Sequence, residues 1–168
     1  METTVGALRS QLQRDAATGR LGVRQIGPVD VKGYRVGSGA DEHGRGVFYS
    51  EDSAGAEEYA RFHPGEAVRE QNIHLDNALL AGHQNDVTLE LFGKGYGDLM
   101  DGIAYRVGDS VKAGRLLDVR IAREARKRGY DGIIYVAPAP PARGEIAVYS
   151  AWRGARRTQR RSPPRLTR

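Results

Sequence analysis

The chain has no cysteine, so neither a disulfide framework nor a thiolate metal site is available to it. Its four histidines, His43, His63, His74 and His83, are scattered without the spacing of a metal-ligand set. No apolar run approaches the roughly 20 residues that a membrane-spanning helix needs. The first residues lack the basic-then-apolar pattern of a signal peptide. These absences predict a soluble protein that contacts no membrane and works in the cytoplasm, of its own cell or of a target cell. Acids are missing from residues 151–168, which carry seven arginines: Arg153, Arg156, Arg157, Arg160, Arg161, Arg165 and Arg168. The formal net charge of +5 therefore belongs to the tail, because residues 1–150 hold 19 basic against 21 acidic side chains. Pro163-Pro164 and few apolar residues predict disorder there. The tail reads either as an electrostatic arm for nucleic acid or another polyanion, or as a solvated extension.

At 168 residues the chain is long enough for one domain with a core of its own. That domain is expected over 1–150, with residues 1–28 as an N-terminal helical segment. The stretch from Gly44 to Ala60 organises it. Gly44-Arg45-Gly46 suits a tight turn or a close backbone approach to a ligand. Val47, Phe48 and Tyr49 have strand character. Ser50 and Asp52 can cap a short helix whose inner side carries Ala54, Ala56, Tyr59 and Ala60. Turn, strand and capped helix would make a wall with a polar rim, fit to hold a flat ligand.

Elsewhere, Val5, Leu8, Leu12 and Ala16 predict a helix over 4–16, capped by Thr3 or Thr4. Val29 to Val36 reads as a strand with Gly33 as a possible bulge, and Ala67 to Asn77 as another around Val68, Ile73 and Leu75. Arg35, just before Gly37-Ser38-Gly39, is either a surface charge or a bidentate grip on a phosphate. Residues 78–114 are poorly legible. Val87, Leu89, Leu91 and Phe92 mark a short buried element, and Gly93 to Gly97 a flexible turn. That turn is no phosphate loop, since no Gly-Lys-Ser/Thr follows. Leu116 to Arg128 reads as a helix with Leu117, Ile121 and Ala125 in one stripe. A strand Ile133–Val136, a Pro-rich loop over 137–144 and a last strand Glu145–Ser150 complete the body. Glu145 opens that strand after the loop. It is either a solvated edge charge or a catalytic acid at the mouth of a sheet.

Taken in order, three of these motifs resemble the ADP-ribosyltransferase superfamily, specifically its small bacterial and phage-associated members. They are Gly44-Arg45-Gly46-Val47-Phe48-Tyr49 followed by Tyr59, then Gly129-Tyr130-Asp131-Gly132, then Glu145-Ile146-Ala147-Val148-Tyr149. The resemblance covers roughly residues 30–150. It implies an α+β fold of split mixed or antiparallel sheets flanked by short helices, with the N-terminal helix added. It implies an NAD-dependent mono-ADP-ribosyltransferase, a toxin or phage effector that uses NAD as substrate and modifies a protein or nucleic acid. Position by position it implies that Arg35, beside Tyr34, holds the nicotinamide ribose or a phosphate. Ser50 would orient the glutamate and the ribose. Phe48 would stand at the central aromatic position, with Gly46 and Tyr49 beside it in the cofactor wall. Tyr59 would stack on nicotinamide, and Glu145 would bind the ribose hydroxyl. Residues 137–144 would read the target. Arginine-modifying members carry Glu or Gln two residues before the catalytic glutamate, where this chain has Arg143, which allows an anionic target. Two other readings compete. One is an NAD glycohydrolase on a related fold, using Arg35, Glu70 and Ser150. The other is a catalytically silent domain whose basic tail binds nucleic acid.

Overall fold

A computed structural model describes residues 2–17, 22–37, 44–137 and 143–149. In chain order the elements are α1 (Val5–Ala17), β1 (Val23–Ile26), β2 (Val29–Val36), β3 (Val47–Ser50), α2 (Ser53–Ala60), β4 (Val68–Leu75), β5 (Ala78–Ala81), α3 (Gln84–Phe92), α4 (Tyr96–Val107), α5 (Ser110–Lys127), β6 (Gly132–Tyr135) and β7 (Glu145–Val148). The fold is α+β. Its strands form one mixed sheet in the order β1-β5-β6-β7-β3-β2-β4, in which β5 and β6 run parallel and the other pairs antiparallel.

This corrects the expectation of split sheets. The strands join into one sheet, but between β3 and β2 the register holds a single pair, Tyr34 opposite Ser50. The helices are not all short either, since α5 runs 18 residues. The N-terminal segment is more than helical, because β1 closes one edge of the sheet against β5.

Each face of the sheet buries its own core. Side chains alternate along a strand, so β7 sends Ile146 to one face and Ala147 to the other. On one face α1 packs Val5, Leu8 and Leu12 against Ile134, Ile146, Val31 and Tyr49. On the other, α3, α4 and α5 pack Val87, Leu91, Ile103, Leu117, Ile121 and Ala125 against Leu79, Ile133 and Ala147. Helix α5 forms because Asp109 caps it, accepting from the backbone N–H of Val111 and Lys112, and because a continuous apolar stripe faces the sheet. Leu116 falls outside that stripe and is largely exposed. Thr4 caps α1 by accepting from Ala7 N at 3.0 Å. Gly33 is a regular ladder residue opposite Gln71, not a bulge. Within 78–114 the chain makes β5, α3 and α4. Gly93 ends α3 in a left-handed conformation, whereas Tyr96 and Gly97 already belong to α4. Among the described residues, no helix is long and apolar enough to cross a membrane.

Candidate active site

The sheet register brings the site together. Residues directly opposite each other in a ladder point to the same face. Tyr34 faces Ser50, Ser50 faces Glu145, and Glu145 faces Tyr135. One row of side chains therefore crosses β2, β3, β7 and β6 on the face that carries α5. Helix α2 covers the row at Ser50: a Cβ on Gly55 would collide with Ser50 Oγ, so glycine is what lets the helix sit this close. Asp52 caps α2, accepting from Gly55 N at 2.8 Å, while Ser50 stays in the strand.

A cavity of about 780 Å³ borders this row. It lies within the usual size range of small-molecule sites. Tyr34, Arg35, Gly46, Phe48, Tyr49, Ser50, Tyr59 and Glu145, the residues singled out from the sequence, all line it. They do not all present side chains to it in the way expected. The ring of Tyr49 is buried in the α1 core, under Gly33, and its hydroxyl donates to Gln71 Oε1 at 3.0 Å. Gly46 has φ +93°, and a Cβ there would lie 2.8 Å from the Tyr149 ring. Its glycine is thus required by a close approach to the core. Tyr59 is not on the inner side of α2. It is 61% exposed at the cavity rim, stacked on His63 with ring centroids 5.1 Å apart. Ala54 is exposed as well, and Ala56 is the buried residue of that helix.

Arg35 donates from Nη1 to the Phe48 carbonyl at 3.0 Å, and its buried Nε has no partner among the described residues. A buried guanidinium donor without a partner, on a residue that lines a cavity, is a place for an acceptor to bind. Glu70 continues the row onto β4, but it is exposed, bound to Lys32 Nζ at 3.1 Å, and lies outside the cavity lining. The Arg35-Glu70-Ser150 grouping is therefore not assembled at this cavity by its glutamate, and Ser150 lies outside the described residues. So do the basic tail, residues 38 and 39 of the loop after Arg35, and residues 138–142 of the loop before Glu145.

The roots of that last loop are fixed. Arg9 on α1 donates from Nε to the carbonyls of Val136 and Ala137, at 2.6 and 2.8 Å, and from Nη2 to Glu51 Oε2 at 2.6 Å. The same Glu51 oxygen accepts from Gly144 N at 2.7 Å, and Glu51 N donates to the Gly144 carbonyl at 3.0 Å. One arginine and one glutamate thus tie both ends of the loop to β3 and α1, immediately before Glu145. Arg143 leans the other way, onto α2, with Nη1 at 2.9 Å from Glu58 and Nε at 3.2 Å from Asp52. Its charge is met within the chain, which weakens the argument that it selects an anionic target.

Electrostatically, the site's carboxylates stand out. Glu145 is pushed up to about 7, first by burial and then by the charge of Asp118. Asp118, on α5, lines the same cavity and is pushed up to about 6 by burial, against the pull of Arg45. Tyr96 and Tyr135 are raised too, each chiefly by burial and further by these two acids. Asp118, Arg45, Gln84 and Glu58 are lining residues that the sequence did not single out. For Asp118 there was one signal, a carboxylate directly beside Leu117 in the apolar stripe of a well-formed helix. Among the described residues, no cluster of three or more His, Asp or Glu is placed to hold a metal. Comparison of the chain with family models, curated proteins and solved structures finds no match.

Proposed function

We propose that this chain is an NAD-dependent mono-ADP-ribosyltransferase, releasing nicotinamide and passing ADP-ribose to a macromolecule. The observation that carries the reading is the convergence of Tyr34, Ser50 and Glu145 in one cross-strand row at a cavity that Arg35 and Tyr59 also line. The chemistry needs few parts. Nicotinamide leaves as a neutral ring, so no acid has to protonate it. Positive charge develops on the ribose, as in glycoside hydrolysis. Glu145, ionised, would stabilise that charge and hold a ribose hydroxyl. Ser50, directly opposite on β3, would orient the carboxylate. The guanidinium of Arg35, on the cavity lining with its Nε unpartnered, would meet a phosphate oxygen. Tyr59, already stacked on His63 at the rim, would offer its ring to nicotinamide.

Incubating the protein with NAD and a cell lysate tests this. ADP-ribose attached to a protein or nucleic acid is the expected result. Free ADP-ribose as the sole product would identify an NAD glycohydrolase. Intact NAD would overturn the reading and leave a non-catalytic, polyanion-binding role.

A further inference from the structure

Glu145 shares its cavity with a second carboxylate. Asp118, on α5, lines the cavity, and no hydrogen bond or ion pair holds it among the described residues. Glu145 likewise has no side-chain hydrogen bond there. A structural carboxylate in a partly buried position is normally capped, paired or bonded to backbone N–H groups, as Asp52 and Glu51 are in this chain. Two half-buried acids lining one cavity, with the charge of Asp118 felt at Glu145, are a pattern of function. A displacement at an anomeric carbon makes two demands on such a pair: one group steadies the developing cation, and the other takes a proton from the incoming nucleophile. Glu145 stands directly opposite Ser50 in the strand ladder and fits the first demand. Asp118, which feels the charge of Arg45, is left for the second.

We propose that Asp118 is the base that deprotonates an acceptor hydroxyl as it attacks the ribose, facing Glu145 across the cavity. This rests on the NAD reading above. In the step, the bond from C1′ to the nicotinamide nitrogen breaks and its electron pair stays with the ring. The acceptor oxygen forms the new bond to C1′, and its proton moves to the Asp118 carboxylate and then to solvent. Burial raises Asp118 and Arg45, before β3, pulls it back; the charge of Asp118 in turn raises Glu145 on β7, Tyr96 on α4 and Tyr135 on β6.

Nicotinamide release from NAD, with water, methanol or azide as acceptor, separates the roles. Asp118→Asn is expected to lower kcat for water and methanol by about 10²-fold, with KM for NAD within about twofold of the parent. Azide needs no deprotonation, so it is expected to restore turnover in Asp118→Asn, as ADP-ribosyl azide, and to leave the parent unchanged. The rising limb of kcat/KM with pH is expected to move to lower pH in the variant, because Glu145 loses a neighbouring negative charge. Asp118→Ala, run in parallel, guards against a substitution that merely unfolds the chain, which circular dichroism would reveal. A variant that keeps kcat within about threefold, or one that is folded, slow and deaf to azide, overturns the proposal alone. A parent protein that leaves NAD intact overturns the NAD reading, and this proposal with it.

Discussion

The two sides of the Tyr34–Ser50 contact are built differently. On one side, β5 and β6 are buried along their whole length, and β7 is nearly so, between α1 and the α3–α5 layer. On the other, β4 exposes most of its residues, and α2 buries only Ala56. The heavily packed half supplies both carboxylates, Glu145 and Asp118. The lighter half supplies the arginine and the rim aromatics, Arg35, Tyr34 and Tyr59. The difference teaches where each kind of group can be afforded. Carboxylates that must be held out of water need a stiff, apolar frame around them, whereas groups that meet a ligand's charged and flat parts work at a wetter edge.

The largest effect should come from breaking the heavy half. Leu117→Ala removes a fully buried side chain of α5 and is expected to destabilise the fold by about 3–4 kcal/mol in urea unfolding. Val68→Ala at the start of β4, only partly buried, should cost less than about 1 kcal/mol. Equal losses would dissolve the contrast.

Glu145→Gln sharpens it in two directions at once. NAD turnover is expected to fall by about 10²-fold or more. Stability should move oppositely. Glu145 is pushed up to about 7 in the folded chain, whereas the unfolded chain ionises it near the ordinary carboxylate value of about 4.3. The folded state therefore holds the proton more tightly, and stability falls as pH rises between those values, then levels off. Melting curves should show the Gln variant more stable than the parent at pH 8, by at most about 4 kcal/mol, and equal to it at pH 4. Greater stability of the parent at pH 8 would mean that the carboxylate has a stabilising partner.

The loop clamp comes next. Arg9→Ala removes one of the two donors to Glu51 Oε2 and the side-chain donor to two carbonyls, and is expected to cost about 2 kcal/mol. It should lower kcat about tenfold with little change in KM, since it acts through the placement of Glu145. Arg9→Lys should rescue little, because one ammonium cannot reproduce the fork that reaches three acceptors. Full activity in Arg9→Ala would detach the clamp from the site. The smallest effect belongs to the rim. Tyr59→Ala, at a largely exposed position, should leave the melting temperature unchanged and raise KM for NAD severalfold, in line with about 1 kcal/mol of stacking.

The same division decided what could be read from the chain. The Val29–Val36 strand and the α1 stripe were legible, because alternation or helical spacing is visible wherever one side is wet, whereas β7, buried on both faces, was legible from its run of strand-forming residues. Ala78-Leu79-Leu80-Ala81 is buried on both sides and has no period to betray it, so β5 went unread. Its partner β1 went with it, being four residues whose pairing depends on β5. The start of α5 was hidden by Gly114 in its first turns, although Asp109 stood in the cap position. Arg35, Ser50, Tyr59 and Glu145 were found through motif order, which carries no distances. Asp118 is hard to read, because its one local signal, a place beside Leu117 in the apolar stripe, does not by itself separate a carboxylate at a cavity from one at the edge of a solvated helix face.

The row through Ser50 and Glu145 has an evolutionary consequence. Ile146 is buried between neighbours on β3 and β6, and side chains alternate, so slipping β7 by one position would drive a charge into the α1 core. The glutamate is thus anchored by its successor in the chain and by the tie at Gly144, not by the length of the segment arriving from Ala137. Insertions and deletions between those two fixed points would leave Glu145 and Ser50 in their row, which would free that stretch to vary without moving them.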